Sequence, residues 1–358
     1  MTQAPVAPEC RSGARVSVEP DVRLRDFLLN QGLASKDEKV VWTSLTGGVS
    51  SDIWRVDLPG RSLCIKRALP KLKVAQVWNA PVERNAYEWA WIKFAAEHCP
   101  DNVPLPLAAD AGQAIFAMAF LEPDQHPVWK SVLLAGVART RTAGSVGAIL
   151  ARLHAASAHD SRVAQRFRTD AIFHAIRLEP YLLATAARHT NLAPRLRELA
   201  QRTAATRVAL VHGDVSPKNI LIGPRGPILL DAECAWYGDP AFDVAFCLNH
   251  FLLKCIARPQ TTPDYLACYR ALWDAYLPGV SWESRDAIEA RVASLLPALF
   301  LARVDGKSPV EYISDERDKQ MVRGTAAPLI ANAPTRVDQV AEAWQRALAA
   351  SGAVRTST

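Results

Sequence analysis

Leu210–Gly223 reads LVHGDVSPKNILIG, a His, an Asp, a Lys and an Asn held between two apolar ends. An apolar strand that only finished a core would stop in turn formers. This one runs into Asp214, placed five residues ahead of Asn219. The chain then turns apolar again in NILIGPRGPILLDAE, where Gly-Pro-Arg-Gly can close a hairpin between two short strands. A hairpin returns the chain to its starting end, so Asp231 comes back beside Asn219 and Asp214 although it lies seventeen residues beyond the latter. Oxygen-bearing side chains gathered at one strand end repel or stay unpaired unless a cation joins them, and hard oxygen donors suit Mg²⁺. Glu233, two residues on, falls on the same side of an extended chain and is a further donor candidate. Singly, each residue reads equally well as a turn former or a strand-end cap; together, at these spacings, they read as a metal site.

The chain on either side of this segment differs in character. From about residue 122 to 352, Ala, Leu and Arg dominate, and helical spacing runs through AGSVGAILARLHAAS, DYLACYRALWDAY, SRDAIEARVASLLPALFLARV and RVDQVAEAWQRALAA. Before it, residues 19–121 open with a short helix in PDVRLRDFLLNQGL. The runs VVWTSLTGG, SDIWRVDLPG and RSLCIKRAL follow and read as a β-meander. A helix in APVERNAYEWAWIKFAAEH and strands in VPLPLAAD and QAIFAMAFLE complete it. Residues 1–18, rich in Pro and Ala, read as a disordered tail. The predicted fold class is α+β and bilobal: a small β-rich N-lobe and a larger, mainly helical C-lobe. In RVDGKSPVEYI, Ser308, Pro309 and Glu311 occupy the cap, first-turn and capping-box positions of a helix start.

The small lobe supplies the features that a phosphate needs. Gly47 and Gly48 sit at a bend where backbone N–H groups can approach oxygens, and Ser50 and Ser51 add hydroxyl donors. In the strand after next, alternation sets Leu63 and Ile65 on one face and Lys66 with Cys64 on the other; a mid-strand Lys there can hold nucleotide phosphates. An acid must fix that Lys. The following helix offers Glu83 and Glu88, of which Glu88, deeper among Trp89, Trp91 and Ile92, is the better placed.

The order Gly loop, strand Lys, helix Glu, AMAFLE, HGDVSPKN and LLDAE resembles the protein-kinase-like fold of the aminoglycoside phosphotransferase and choline kinase family. The resemblance covers about residues 40–330, and DAECAWYGDPAFDVA with VERNAYEWAWI is most similar to the methylthioribose kinases within it. It implies ATP and Mg²⁺ as cofactors and Asp214 as the catalytic base. It further implies Asn219, Asp231 and Glu233 toward the metal, and Met118 and Phe120 of the AMAFLE hinge toward the nucleotide. Gly213 stands where protein kinases have an Arg, and Asp-Ala-Glu replaces Asp-Phe-Gly, which points to a small-molecule kinase without an activation-loop switch. His212 and Asp243 are expected to brace the catalytic loop. Gln320 and Met321 stand where methylthioribose kinases carry paired arginines, so the likeness does not extend to the acceptor.

Composition narrows the remaining classes. With 358 residues, 49% hydrophobic, there is material for two lobes, while no long apolar run or basic-then-apolar start suggests a membrane span or secretory signal. The expected location is cytoplasmic. Seven scattered Cys without a CxxC pair argue against disulfides and structural zinc. Of the +6 net charge, twelve Arg against four acids fall between Arg139 and Arg207. These read as solvated helix faces, since no base-stacking aromatics interleave them, and nucleic acid is not an expected partner. The same excess fits polycationic aminoglycosides poorly and favours a small neutral or anionic alcohol or sugar as hydroxyl acceptor. The alternatives are a non-catalytic nucleotide-binding scaffold of the same fold, or a kinase acting on an aminoglycoside or other antibiotic.

Overall fold

The computed structural model describes residues 20–45, 51–69 and 81–352. Gly47, Gly48 and Ser50 lie outside the described residues, as does Cys10.

Helix α1 (Val22–Asn30) is capped by Asp21, whose carboxylate accepts from the Arg23 backbone N–H at 3.0 Å. Strands β1 (Val41–Leu45), β2 (Ser51–Leu58), β3 (Arg61–Ala68), β4 (Pro106–Asp110) and β5 (Ile115–Ala119) form one antiparallel sheet in the order β1-β2-β3-β5-β4. Strict alternation in β2 and β3 turns Trp54, Val56, Leu58, Leu63 and Ile65 onto α1 residues Leu24, Phe27 and Leu28. The other face carries Lys66 toward α2 (Arg84–His98), where Glu88 meets it. The pairing Lys66 with Phe116 sets the Lys in mid-sheet, flanked on both sides by hydrogen-bonded neighbours.

The rest is mostly helical: α3 (Trp129–Leu134), α4 (Thr140–Ser157), α5 (Ser161–Arg166), α6 (Asp170–Phe173), α7 (Ala184–Arg188) and α8 (Ala193–Ala205) precede the Asp214 segment. Between α6 and α7 the helix widens to π geometry over His174–Leu183, with Pro180 inside it. Strands β6 (Ala209–Val211) and β9 (Trp236–Gly238) pair with each other, enclosing the hairpin β7 (Ile220–Gly223) and β8 (Gly226–Leu229), whose Gly223 and Gly226 face one another across the turn. Helices α9 (Ala241–Ala257), α10 (Thr262–Tyr276), α11 (Arg285–Asp305), α12 (Glu316–Ala331) and α13 (Val337–Ala350) complete the chain. Every residue from Ala241 to Ile256 is buried, so α9 is the axis on which the helical lobe is built. Helix α4 crosses α10 so closely that a Cβ on Gly147 would stand 2.1 Å from the Leu272 carbonyl oxygen.

One local expectation fails. No helix starts at Ser308; α12 starts at Glu316, capped by Asp315. The Ser308 carbonyl and hydroxyl oxygens instead accept from Arg303 Nη1 at 2.5 and 3.2 Å, so the cap-forming atoms are already engaged by a buried guanidinium. Among the described residues no helix is long and apolar enough to cross a membrane.

Candidate active site

Asp214 follows β6 in a buried loop held from behind. Asp243, in the first turn of α9 and fully buried, accepts from the backbone N–H of His212 at 2.7 Å and of Gly213 at 2.8 Å. It also lies 3.3 Å from His154 Nε2, and His154 Nδ1 lies 3.0 Å from the Tyr276 hydroxyl. A carboxylate accepting two backbone donors fixes their direction more firmly than a neutral group would. His212 braces the same loop: Nδ1 accepts from the Asp214 N–H at 3.1 Å, which leaves Nε2–H to donate to Leu230 O at 3.1 Å. Burial drives its pKa down, so the ring is neutral and structural. Gly213 takes φ +79, and a Cβ there would lie 2.7 Å from the Cys234 carbonyl oxygen. Only glycine suits both constraints.

The Asp214 side chain meets two cations through one oxygen. Oδ2 lies 2.8 Å from Arg177 Nη2 and 3.2 Å from Lys218 Nζ, while Oδ1 accepts no hydrogen bond among the described residues. Burial pushes the carboxyl up, but Arg177 and Lys218 hold it below the usual carboxylate range. Arg177 also donates from Nε to Gly213 O at 2.5 Å, so it fixes the loop and the carboxylate together. Sequence reading placed Arg177 among solvated helix arginines; it is instead 8% exposed in the π-helical segment. The available signal was Pro180 three residues later, a residue that disturbs regular helix.

From the N-lobe sheet, Lys66 Nζ lies 2.8 Å from Glu88 and 2.5 Å from Asp231 Oδ1. Burial disfavours the ammonium, yet Asp231 and Glu88 hold its pKa above the usual range. Asp231 is likewise held low by Lys66 against its own burial, whereas burial pushes Glu88 up to about 7. Glu88, not Glu83, is the helix acid that Lys66 meets. One turn along the same face, Trp91 packs edge-on to His212 at 4.7 Å, tying α2 to the catalytic loop.

Asn219 lies at the end of a 3₁₀ turn and donates its side-chain amide to Asp214 O at 3.1 Å; its backbone carbonyl accepts from Leu230 N–H at 2.9 Å, while its side-chain Oδ1 accepts nothing among the described residues. Asp231 sits at φ +67, a left-handed conformation that Asp tolerates better than most residues. Glu233 turns to Arg84, with Oε2 3.0 Å from Nε, and Arg84 also donates to Pro81 O and Leu69 O. Sequence reading overlooked Arg84. Ser51 is buried at the start of β2. Met118 pairs with Cys64 on β5; the Phe120 N–H donates to Ser62 O at 3.2 Å, and its ring is covered by the Arg55 guanidinium at 4.4 Å.

No three His, Cys, Asp or Glu side chains close a metal cage among the described residues. The oxygens present fit an open site. The Asn219 carbonyl and the Asp231 carboxylate are hard donors, and Mg²⁺ takes few protein ligands and fills its octahedron with phosphate and water.

A family profile described as "Phosphotransferase enzyme family" matches residues 41–258, which takes in Lys66 and the whole Asp214–Glu233 segment. Among curated proteins the chain is similar to methylthioribose kinase 1 of Oryza sativa subsp. japonica, at 25% identity over 229 residues, 55% of this chain and 52% of the relative. It is also similar to methylthioribose kinase of Erwinia tasmaniensis, at 25% identity over 279 residues, 67% of this chain and 69% of that one. The chain thus spans about half the length of its rice relative. In three dimensions it resembles a choline/ethanolamine kinase family protein from Mesorhizobium loti, with TM-score 0.53 and 15% identity, over 91% of this chain and 98% of the other. An amicoumacin kinase superposes with TM-score 0.52 at 14% identity, over 89% and 96%. At these identities the likeness is one of fold, and it agrees with the bilobal architecture read from the motifs.

Proposed function

We propose, for a chain that belongs to the phosphotransferase enzyme family, ATP-dependent transfer of the γ-phosphate to a hydroxyl of a small neutral or anionic alcohol or sugar. The observation that carries this reading is the meeting of Lys66 with Glu88 on one side and Asp231 on the other, with Lys218 acting on both Asp231 and Asp214. An ammonium in that place orients phosphate oxygens and offsets their charge.

Asp214 has a division of labour between its oxygens. Arg177 and Lys218 fix Oδ2, and Oδ1 is left to accept the acceptor hydroxyl proton. As the acceptor oxygen bonds to the γ-phosphorus, the bond to the β,γ-bridging oxygen breaks, ADP leaves, and the proton passes to Asp214. A carboxylate held this low is a weak base, which suits a loose transition state in which the nucleophile loses its proton late. Asn219 and Asp231 are the residues that would hold Mg²⁺, with Glu233 beside them, and the ion would supply neutralisation of the phosphate charge. Ser51, with Gly47, Gly48 and Ser50, would line the phosphates, and Met118 and Phe120 the adenine side.

The test is ADP release from Mg·ATP across a panel of sugars, hydroxy acids and amino alcohols, with the phosphorylated product identified by mass spectrometry. Nucleotide binding with no transfer to any acceptor would replace the kinase by a nucleotide-binding scaffold.

A further inference from the structure

The loop after Asp214 forms one wall of a cavity of about 40 Å³, to which Pro217 and Lys218 contribute. Its other walls come from α3, α9, α11 and the loop after α11. Four cationic side chains line it, Lys130, Lys218, Lys254 and Arg303, against one acid, Glu311. Two of them are already paired: Lys130 with Glu311 and Lys218 with Asp214.

Lys254 is different. It is 1% exposed, and no carboxylate lies within ion-pair distance of its Nζ among the described residues; its near neighbour is the Tyr312 ring, 5.2 Å away. An ammonium taken out of water costs several kcal/mol unless something anionic completes it. Three more polar atoms around the same cavity lack a hydrogen-bond partner: His250 Nε2, Arg303 Nε and the Tyr312 hydroxyl. His250 and Lys254 stand one turn apart on α9, so their side chains face the same way. Buried polar atoms without a partner are rare, and three of them around one space, beside a lysine with no carboxylate in reach, describe the outline of an acceptor-rich group. The space takes about three water-sized atoms, the size of a carboxylate, with a phosphate as the larger alternative.

We propose that the acceptor alcohol carries an oxyanion, a carboxylate or a phosphate, and that Lys254, His250, Arg303 and Tyr312 bind it while Lys218 leads from this pocket to Asp214. The proposal rests on the kinase reading above and names its substrate class. It also sets this site against polycationic acceptors, which Lys254 and Arg303, the two lining cations without a carboxylate partner among the described residues, would repel. Burial pulls the Lys254 pKa down to about 7, and Lys130 and Arg303 add to that pull; a bound anion would restore the ammonium.

The experiment compares matched acceptors on the full chain: glycerate and gluconate, ribose 5-phosphate, and their neutral counterparts glycerol, glucose and ribose. In parallel, thermal shifts with malonate and with inorganic phosphate are measured at matched ionic strength on the wild type, Lys254→Met and Tyr312→Phe, with ADP affinity as the control for folding. We expect transfer to an acid or phosphate ester over its neutral partner, with KM raised about tenfold or more by Lys254→Met, the loss of one charged hydrogen bond. Carboxylate arms responding and phosphate arms not, or the reverse, identifies which oxyanion fits. Malonate or phosphate stabilising the wild type but not Lys254→Met, without any transfer, upholds the anion pocket and counts against the kinase reading alone. Preference for neutral acceptors, or anion shifts equal in wild type and both variants, overturns the proposal. Should Lys254→Met fail to bind ADP, the same comparison is decided on Tyr312→Phe, which removes one hydroxyl.

Discussion

Lys66 Nζ and Asp231 Oδ1 lie 2.5 Å apart although 165 residues separate them in the chain. The pair joins the mid-sheet strand of the N-lobe to the end of the catalytic hairpin, and Glu88 completes it from α2. Lys66→Met removes the cation between two carboxylates. Turnover is expected to fall about 10²–10³-fold, the range for losing one preorganised charge-stabilising donor. Glu88→Gln should lose far less, because burial already pushes that carboxyl toward its neutral form. Steady-state kinetics on the two variants rank them, and equal losses would remove the distinction.

Asp214→Asn keeps the shape of the loop but removes the proton acceptor. The rate should drop about 10²–10⁴-fold with ADP affinity within a few-fold of wild type. Arg177→Met acts on the same carboxylate in the opposite sense: with its main cation gone, burial raises the Asp214 pKa, so the acidic limb of kcat/KM moves to higher pH. A pH profile unchanged between wild type and Arg177→Met would contradict this pairing.

Asp243→Ala strips acceptors from two backbone N–H groups and a buried imidazole at once. A cost of about 3–5 kcal/mol in urea unfolding is expected, as for breaking one side of a buried charged network. Asp243→Asn keeps one acceptor oxygen and should sit between. A loss under 1 kcal/mol for the alanine variant would show that the loop does not depend on it.

Two glycines should respond with opposite sign. Gly213→Ala forces a Cβ to 2.7 Å from Cys234 O at φ +79, with an expected loss of about 1–3 kcal/mol and a fall in turnover through Asp214. Gly324 lies inside α12 with nothing within 4 Å of its would-be Cβ, so Gly324→Ala should gain about 0.5–1 kcal/mol. Thermal melts of both variants check the pair of signs.

The Lys254 pocket carries a pH dependence. Lys130 and Arg303 lower the ammonium's pKa along with burial, Cys247 and Glu311 oppose them, and the balance falls at about 7. His250, driven well below the usual range, stays neutral throughout. Lys254 is charged below that pH and neutral above it, so KM for an anionic acceptor should climb as pH rises through 7 toward 9. Lys254→Arg, which keeps its charge, should flatten the climb. A KM independent of pH in the wild type would rule out Lys254 as the anion's partner.

What could be read in the sequence, and what could not, follows from how each signal arises. The N-lobe strands were legible because Trp54, Val56, Leu63 and Ile65 alternate toward a single core, a period that polar neighbours make visible. Asp214, Asn219 and Asp231 were legible as a group because a hairpin of fixed length carries them. Helix α9 gives no such period: with both faces enclosed it has no polar side to alternate against, and Lys254 within it looks like any helix lysine. Arg177 was hidden by the company of eleven other arginines between residues 139 and 207 and by a π segment that breaks the 3.6-residue repeat. The Ser308–Glu311 signature fits a helix cap by local spacing and fails as one because Arg303, from a neighbouring helix, takes the Ser308 oxygens. Partnerships between elements are not encoded in local spacing.

Asp231 and Glu233 bracket Ala232, which is wholly enclosed. One acid grips Lys66 and the other Arg84, both on the opposite lobe, so three consecutive residues act as a clasp whose prongs are aimed by the left-handed turn at Asp231. Inserting or deleting a single residue there would turn one carboxylate away from its cation, and the lobes would lose a tether.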